Sequence, residues 1–227
     1  MKKSEAKIAR IHPIPIPGRI AKRLFDLTLS MAGLLCVLPL FVIIPITIKV
    51  TSHGPVFYRA NRVGQFGHEF RMFKFRTMTA TADSTGPLVT GGRDPRITKV
   101  GAWMRKLKID ESPQLFNVLA GSMSVVGPRP QSPKYLEHYG EAGMRSLSVK
   151  PGLTSPAMIV SQESLLEAES PEENEKNYLE NLLPIRIEHD LNYVDTWSFM
   201  GDVRCTFRTA WAMVATDATR RKMPIGS

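Results

Sequence analysis

The sequence predicts an α+β fold that is rich in helix and contains a small β-hairpin or sheet. Residues 54–78 alternate aromatic and basic side chains between glycines, which is typical of short paired strands. An uncharged apolar run at residues 27–48 predicts a helix that enters a membrane. Helical periodicity and helix start and stop residues predict further helices over residues 97–108, 112–121, 132–147, 177–194 and 198–215.

Composition favours anionic partners for this chain of 227 residues. Lys and Arg number 30 against 21 acidic residues, which gives a formal net charge of +9. Such a balance suits nucleic acid, a phosphorylated substrate or an anionic membrane surface. The two cysteines, Cys36 and Cys205, stand alone, so the sequence shows neither a disulfide framework nor a CxxC metal motif.

The apolar run LTLSMAGLLCVLPLFVIIPITI carries no charge and would extend about 33 Å as a continuous helix, enough to cross a bilayer core. Pro39 and Pro45 interrupt it, and proline kinks or breaks helices because it removes a backbone donor. Basic residues flank the run on both sides, as is typical of cytoplasmic flanks. A spanning helix and a re-entrant helix that returns to the same face are both compatible with this pattern.

The hairpin region has two readings. Aromatic and basic residues that alternate in GPVFYRANRVGQFGHEFRMFKFRTM could bind nucleic acid. A half-buried strand with solvated Lys and Arg is the more common outcome, and we favour it. The glycine-rich and proline-containing residues 79–98 predict a loop. The following helix is expected to be amphipathic, with Val100, Trp103, Met104 and Leu107 on one face.

Two adjacent carboxylates, Asp110 and Glu111, open the stretch DESPQLFNVLAGSMSVVGPRP. Ser112 followed by Pro113 predicts a capped helix start, which would place both acids just outside a helix N-terminus. They could simply complement the helix dipole, worth about 0.3–1 kcal/mol. Alternatively, one carboxylate could attack phosphorus while the other holds Mg²⁺ on the same phosphates.

Basic residues near this pair are candidates for phosphate binding. Arg129 stands between two prolines in GPRP, so a stiff loop presents its guanidinium, which offers paired donors to phosphate oxygens. Arg105 precedes Asp110 by five residues, and Lys150 precedes a Pro-Gly turn. A local ion pair or a solvated side chain is the alternative for each.

Six motifs in order carry a family resemblance: KRLFDLTLS with its proline-broken apolar run, GPVFYRANRVG, FKFRTM, the Asp-Glu pair, PQLFNVLAGSMSVVGPRP and KPGLT. Together they closely resemble the bacterial sugar transferase family of monotopic polyprenyl-phosphate phosphoglycosyl transferases. The resemblance covers about residues 20–215. The chain is similar to the minimal catalytic form of that family.

The resemblance implies transfer of a sugar 1-phosphate from a UDP-sugar to undecaprenyl phosphate on the cytoplasmic face of the bacterial inner membrane. Asp110 would attack the sugar-bearing phosphate, release UMP and form an aspartyl phosphosugar, which the lipid phosphate would then displace. Glu111 would bind Mg²⁺. This would be the first membrane step of polysaccharide or glycoconjugate biosynthesis, such as exopolysaccharide biosynthesis. The residues expected to bind substrate are Lys74, Arg76, Arg105, Arg129, Lys150 and Asp190.

The resemblance also implies a domain organisation. We expect a basic N-terminal arm at residues 1–22 and a re-entrant membrane helix at 23–50, broken at Pro39 and anchored by Arg23 and Asp26. A cytoplasmic catalytic domain would occupy residues 51–227 and include C-terminal interfacial helices. Contacts with inner-membrane lipid and formation of a homodimer are expected, and binding of nucleic acid is not.

The sequence departs from the family pattern at several positions. Leu38 replaces a common serine before the breaking proline, GSMS replaces GDMS, and Lys150 stands where arginine is usual. After PGLT the chain continues SPAMIVSQES instead of the common GWAQVNGRN, so the identity of the sugar is left open. The alternative function is an inactive, membrane-tethered protein that binds nucleotide or anionic lipid.

Overall fold

The computed structural model describes residues 13–82, 94–156 and 171–214. In this part of the chain it contains eight α-helices and four short strands, which confirms the helix-rich α+β prediction. The helices are α1 (Ile16–Val37), α2 (Leu40–Thr51), α3 (Lys99–Lys106), α4 (Gln114–Ala120), α5 (Gly140–Ser146), α6 (Pro171–Asn177), α7 (Leu183–Asp195) and α8 (Phe199–Val214). The strands are β1 (Phe57–Val63), β2 (Glu69–Phe75), β3 (Ser124–Val126) and β4 (Gly152–Thr154).

The apolar N-terminal region forms a bent pair of helices. Helices α1 and α2 meet at Leu38 and Pro39 with an angle of 57° between them. Pro39 has no backbone N–H to donate, so the helical hydrogen bonding is interrupted there. Its carbonyl accepts a hydrogen bond from the backbone nitrogen of Val42 at 3.1 Å. Pro45 lies inside α2 without breaking it. Among the described helices none could cross a membrane alone, whereas this bent pair has the length and composition to do so.

Helix α1 begins at Ile16, so residues 16–22 of the predicted basic arm are helical. Pro15 occupies the N-cap in extended conformation, and Pro17 lies in the first turn, where its missing donor costs nothing. Residues 1–12 lie outside the described part of the chain.

The predicted hairpin is confirmed. Strands β1 and β2 pair antiparallel from Phe57 opposite Phe75 to Val63 opposite Glu69, and a short 3₁₀ turn at Gln65–Gly67 joins them. The buried residues Ala60, Val63 and Met72 face two different core clusters.

Residues 152–154 form a strand that the local sequence pattern does not predict. These residues are strand β4, which pairs in parallel with β3. The two backbones approach so closely that an added Cβ at Gly152 would lie 2.2 Å from the nitrogen of Gly127. Three-residue strands carry no readable periodicity, so the pairing depends on distant sequence that local patterns cannot show.

The region predicted as one helix at residues 132–147 is divided in two. A 3₁₀ segment covers Pro133–His138, and α5 follows. Gly140 adopts φ +57°, a conformation that glycine tolerates and that interrupts the helical path. The prediction of one continuous helix is therefore wrong here. The C-terminal helices are confirmed, with a π-helical turn at Tyr178–Leu182 leading into α7.

Helix α3 is confirmed, and its predicted apolar face is buried only in part. Met104 is fully buried, whereas Trp103 is 52% exposed and Leu107, its C-cap residue, is 49% exposed. Met104 packs with Ile44, Ile48 and Phe75 in a core cluster that joins α2, β2 and α3. The same cluster includes the partly buried Ile109, so it supports the turn that carries the two adjacent carboxylates.

Candidate active site

Asp110 and Glu111 lie in a 3₁₀ turn, Ile109–Glu111, between α3 and α4. Lys108 enters the turn in left-handed conformation with φ 56°, so the chain reverses there before the carboxylates. The predicted N-cap at Ser112 is wrong, because Ser112 is itself in right-handed helical conformation and its buried Oγ has no hydrogen-bond partner. The local cause is that the 3₁₀ turn already supplies the backbone path into α4.

Glu111 is held by two cations from different elements. Lys74 on β2 donates to its Oε1 at 2.7 Å, and Arg129 from the GPRP loop donates to the same atom at 3.2 Å. Burial alone would raise the pKa of Glu111, but Lys74 and Arg129 outweigh it and hold this pKa well below its usual range. Glu111 is therefore an ionised carboxylate at neutral pH.

Asp110 lies deeper than its neighbour, with 6% of its surface exposed. Burial raises its pKa, and the nearby charge of Glu111 raises it further, while Lys74, Arg105 and Lys108 act in the opposite direction. Arg105 is held in place by a hydrogen bond from its Nε to Thr77 Oγ1 at 2.9 Å. The structure thus surrounds one buried carboxylate with cations that come from β2, α3 and the turn.

Asp190 on α7 is a second buried carboxyl group, 3% exposed, and its Oδ1 has no hydrogen-bond partner. Burial raises its pKa to about 8, against the opposing charges of Arg186 and Arg129. Arg129 therefore interacts electrostatically with both Asp190 and Glu111. Asp190, which the sequence also predicted as a site residue, thus lies near the same site.

Arg76 and Lys150, two of the predicted substrate-binding residues, have their described contacts elsewhere in the structure. Arg76 donates from Nη1 to the carbonyl of His53 at 2.7 Å and from Nη2 to the carbonyl of Ser52 at 2.9 Å, just past the end of α2. Lys150 lies by Gly121, where an added Cβ would be 3.5 Å from its Nζ. Gly121 caps the C-terminal end of α4, opposite the end that follows the carboxylates. Arg76 thus binds backbone carbonyls past α2, and Lys150 lies at the far end of α4.

Arg23 and Asp26 join α1 to the centre of the protein. Arg23 donates to the carbonyls of Val118 and Leu119 at 2.6 and 2.8 Å, which satisfies the last turn of α4. Asp26 Oδ1 accepts from the backbone nitrogen of Val125 at 2.9 Å, on β3. Helix α1 is therefore fixed to α4 and β3, the two elements that follow the carboxylates.

Two features were not predicted. The first is a buried ion pair between Lys22 on α1 and Asp202 on α8, at 2.7 Å. The second is Arg62 on β1, whose buried Nε has no hydrogen-bond partner. The sequence alone could not reveal either feature, because a single charged residue does not show in the sequence whether its side chain is buried or paired.

The family resemblance implies a bound Mg²⁺, and the side chains around Asp110 and Glu111 can be compared with what this ion requires. In the described ranges no group of three or more His, Cys, Asp or Glu side chains is placed to hold a metal. Mg²⁺, however, is usually bound by one or two carboxylates together with substrate phosphates and water. Adjacent Asp110 and Glu111, the latter ionised, fit that kind of site.

An exposed apolar surface lies beside the carboxylates. Leu107 and Phe116, which precede and follow the turn, are 49% and 46% exposed. Residues along the outer faces of the N-terminal helix pair and of α8 extend the exposure: Ile20, Leu24, Leu35, Val42, Ile46, Val50, Phe207 and Trp211. Large apolar side chains exposed in such numbers are typical of a membrane or protein contact.

Comparison with known proteins adds the family. The Bacterial sugar transferase family matches residues 17–216. The chain is 38% identical over 195 residues to a UDP-glucose:undecaprenyl-phosphate glucose-1-phosphate transferase of Xanthomonas campestris pv. campestris, covering 84% of this chain and 38% of that protein. It is 39% identical over 204 residues to an uncharacterized sugar transferase of Bacillus subtilis (strain 168), covering 89% of this chain and 91% of that protein.

A third relative is an exopolysaccharide production protein of Rhizobium meliloti (strain 1021), 36% identical over 210 residues, which cover 85% of this chain and 84% of that protein. The site groups cations around paired carboxylates, with exposed apolar residues before and after the turn. The chain belongs to the bacterial sugar transferase family. It spans about 38% of the length of the Xanthomonas relative.

Proposed function

We propose that this protein transfers a sugar 1-phosphate from a UDP-sugar to undecaprenyl phosphate and releases UMP. The observation that carries the proposal is the arrangement of Glu111, held ionised by Lys74 and Arg129, directly after the buried Asp110. Paired carboxylates among cations suit phosphoryl transfer, because cations stabilise phosphate charge while a carboxylate accepts the phosphoryl group. The names of the relatives, which include undecaprenyl-phosphate transferases, support the same substrates.

In the first step an Asp110 carboxylate oxygen attacks the phosphorus that bears the sugar. A new oxygen–phosphorus bond forms, the bond to the bridging oxygen breaks, and UMP leaves with that oxygen. In the second step an oxygen of the lipid phosphate attacks the same phosphorus. The product is a sugar linked to the lipid through a diphosphate, and Asp110 is regenerated as a carboxylate.

The surrounding residues would position these charges. Arg105 and Arg129 are placed to contact phosphates, since each carries a guanidinium near the carboxylate pair. Glu111, with Asp110 nearby, would hold Mg²⁺, which supplies charge stabilisation on the phosphates when bound. Burial of Asp110 excludes water, so hydrolysis of the acyl phosphate would be slow compared with transfer to lipid.

We further propose that the helix pair α1 and α2 enters the inner membrane and returns to the cytoplasmic face. Its 57° bend at Pro39 and the exposed apolar residues beside the turn support this path, since on it the carboxylates would lie near a lipid headgroup. A re-entrant path requires that the backbone polar groups at the bend are hydrogen-bonded within the protein. The carbonyl of Pro39 meets this requirement, because it accepts a hydrogen bond from the backbone nitrogen of Val42.

The test is UMP release by purified protein given undecaprenyl phosphate and a panel of UDP-hexoses and UDP-N-acetylhexosamines. We expect UMP with at least one donor, dependent on the lipid for repeated turnover. A binding protein without activity would bind the nucleotide yet release no UMP with any donor, and that result would contradict the proposal. The donor that reacts fastest identifies the sugar.

A further inference from the structure

Arg62 near the end of β1 is a half-buried cation without a counter-charge. In the described part of the chain its side chain forms no hydrogen bond or ion pair, and its Nε is fully buried. A buried guanidinium nitrogen without a partner costs free energy, because it loses its hydrogen bonds to water and gains none within the protein. Native proteins retain such groups where a ligand supplies the missing partner.

The backbone places Arg62 next to the loop that carries Arg129. Val63, the following residue, donates its backbone hydrogen to the carbonyl of Gln131 at 2.8 Å. Gln131 is two residues after Arg129, so the end of β1 and the GPRP loop lie against each other. Burial lowers the pKa of Arg62, and the positive charge of Arg129 lowers this pKa further. The two guanidinium groups are therefore close enough to repel each other.

The neighbours of Arg62 do not balance its charge. Those that act on it besides Arg129 are Tyr58, Tyr135 and Tyr178, which are uncharged at neutral pH. Burial, the first cause in each case, raises the pKa of both Tyr135 and Tyr178, which excludes either as an anion at neutral pH. Arg129, by contrast, already has Glu111 as a partner. One positive charge therefore remains uncompensated next to Arg129.

We propose that Arg62 and Arg129 together form a phosphate-binding position, with Arg62 as a substrate-binding residue. A phosphate group between two guanidinium groups would receive charge-assisted hydrogen bonds from both and would neutralise Arg62. This inference rests on the proposed function for the identity of the phosphate, which belongs either to the nucleotide or to the lipid. The positioning of Arg129 against Glu111 places this phosphate next to the carboxylate pair.

The test is calorimetric binding of UMP and of farnesyl phosphate to the full chain in detergent, with Arg62→Gln and Arg62→Lys variants. The matched control is Arg59→Gln, because Arg59 is an exposed arginine on the same strand that lies over the Phe73 ring. Loss of one charge-assisted contact should weaken phosphate binding about 10- to 100-fold in Arg62→Gln, less in Arg62→Lys and not at all in the control.

A loss confined to UMP assigns the position to the nucleotide phosphate, and a loss confined to farnesyl phosphate assigns it to the lipid phosphate. Uridine, which lacks phosphate, should bind equally to wild type and Arg62→Gln. Unchanged affinity for both phosphates in a variant with wild-type thermal unfolding would overturn the proposal, as would failure of the wild type to bind either. UMP release by the wild type, measured in parallel, tests the proposed function separately.

Discussion

The Nζ of Lys22 on α1 lies 2.7 Å from the Oδ2 of Asp202 on α8, and Asp202 has no exposed surface. Tyr193 and Trp197 also donate to the same carboxylate, at 2.8 and 3.1 Å. This network joins the N-terminal helix to the last described helix through the protein interior. The position of α1 is thus coupled to the stability of the structure around α8.

Substitution Lys22→Met should destabilise the fold severely. Removing one partner leaves the carboxylate of Asp202 buried and uncompensated, which costs about 3–5 kcal/mol. Denaturant unfolding in detergent measures the loss. The exposed Arg19 on the same helix provides the control, and Arg19→Met should change stability by less than about 0.5 kcal/mol. Equal effects of the two substitutions would show that the pair does not couple the helices.

Glu111→Gln should lower turnover by about 10²-fold and raise the Mg²⁺ concentration needed for half-maximal UMP release. The amide ligates Mg²⁺ weakly and also releases Lys74 and Arg129 from their shared ion pair. A Mg²⁺ titration of UMP release gives both quantities. Glu137→Gln is the control, because Glu137 is 78% exposed. Full wild-type activity in excess chelator would exclude the proposed metal role.

Asp190 should make stability depend on pH. Its pKa is about 8 in the folded state against 3.8 for an ordinary aspartate, so the folded state retains a proton that the unfolded state releases. The free energy of unfolding should therefore fall as pH rises from about 4 to about 8. Asp190→Asn, which stays neutral, should match wild type near pH 4 and show the higher Tm at pH 9.

Thermal unfolding of both proteins across this range checks the prediction, with about 2–4 °C in Tm for each kcal/mol. A constant difference between the two proteins at every pH would contradict the assigned protonation state.

Much of this fold is readable from local pattern. The hairpin and the bend at Pro39 could be predicted because each depends on residues that are close in sequence. The hairpin shows as alternating aromatic and basic residues, and the bend shows as a proline within the apolar run. Strand β4 was missed because its partner β3 lies more than twenty residues away and the two share only three-residue strands. Periodicity placed Trp103 and Leu107 on the apolar face of α3, but it cannot tell which residues of such a face are buried and which are exposed.

The site was predicted unevenly for the same reason. Motif order pointed to Asp110, Glu111, Lys74 and Arg129, which the structure brings together. It equally suggested Arg76, whose guanidinium instead satisfies carbonyls past α2, because a basic residue in a motif does not reveal the direction of its side chain. Arg62 escaped notice because an unpaired donor is visible only in three dimensions.

The membrane path predicts a response to proline removal. Replacing Pro39 and Pro45 with alanine should favour one continuous helix, because alanine restores the backbone donors and removes ring clashes. Part of the population should then place its N-terminus in the periplasm and lose activity in proportion. A single cysteine at Ser4, in a Cys36→Ala, Cys205→Ala background, reports the side through an impermeant thiol reagent. Periplasmic labelling of Ser4→Cys with both prolines intact would contradict the re-entrant path.

The central claim is that Asp110 carries the phosphosugar covalently. The most direct measurement is the mass of the peptide containing Asp110 after the protein is incubated with its UDP-sugar and no lipid acceptor. We expect that peptide to gain the mass of one sugar phosphate, and the gain to disappear when undecaprenyl phosphate is added. Asp110→Asn should show no adduct and no turnover, since an amide cannot form the acyl phosphate. Near-normal UMP release by a folded Asp110→Asn variant would contradict the covalent mechanism.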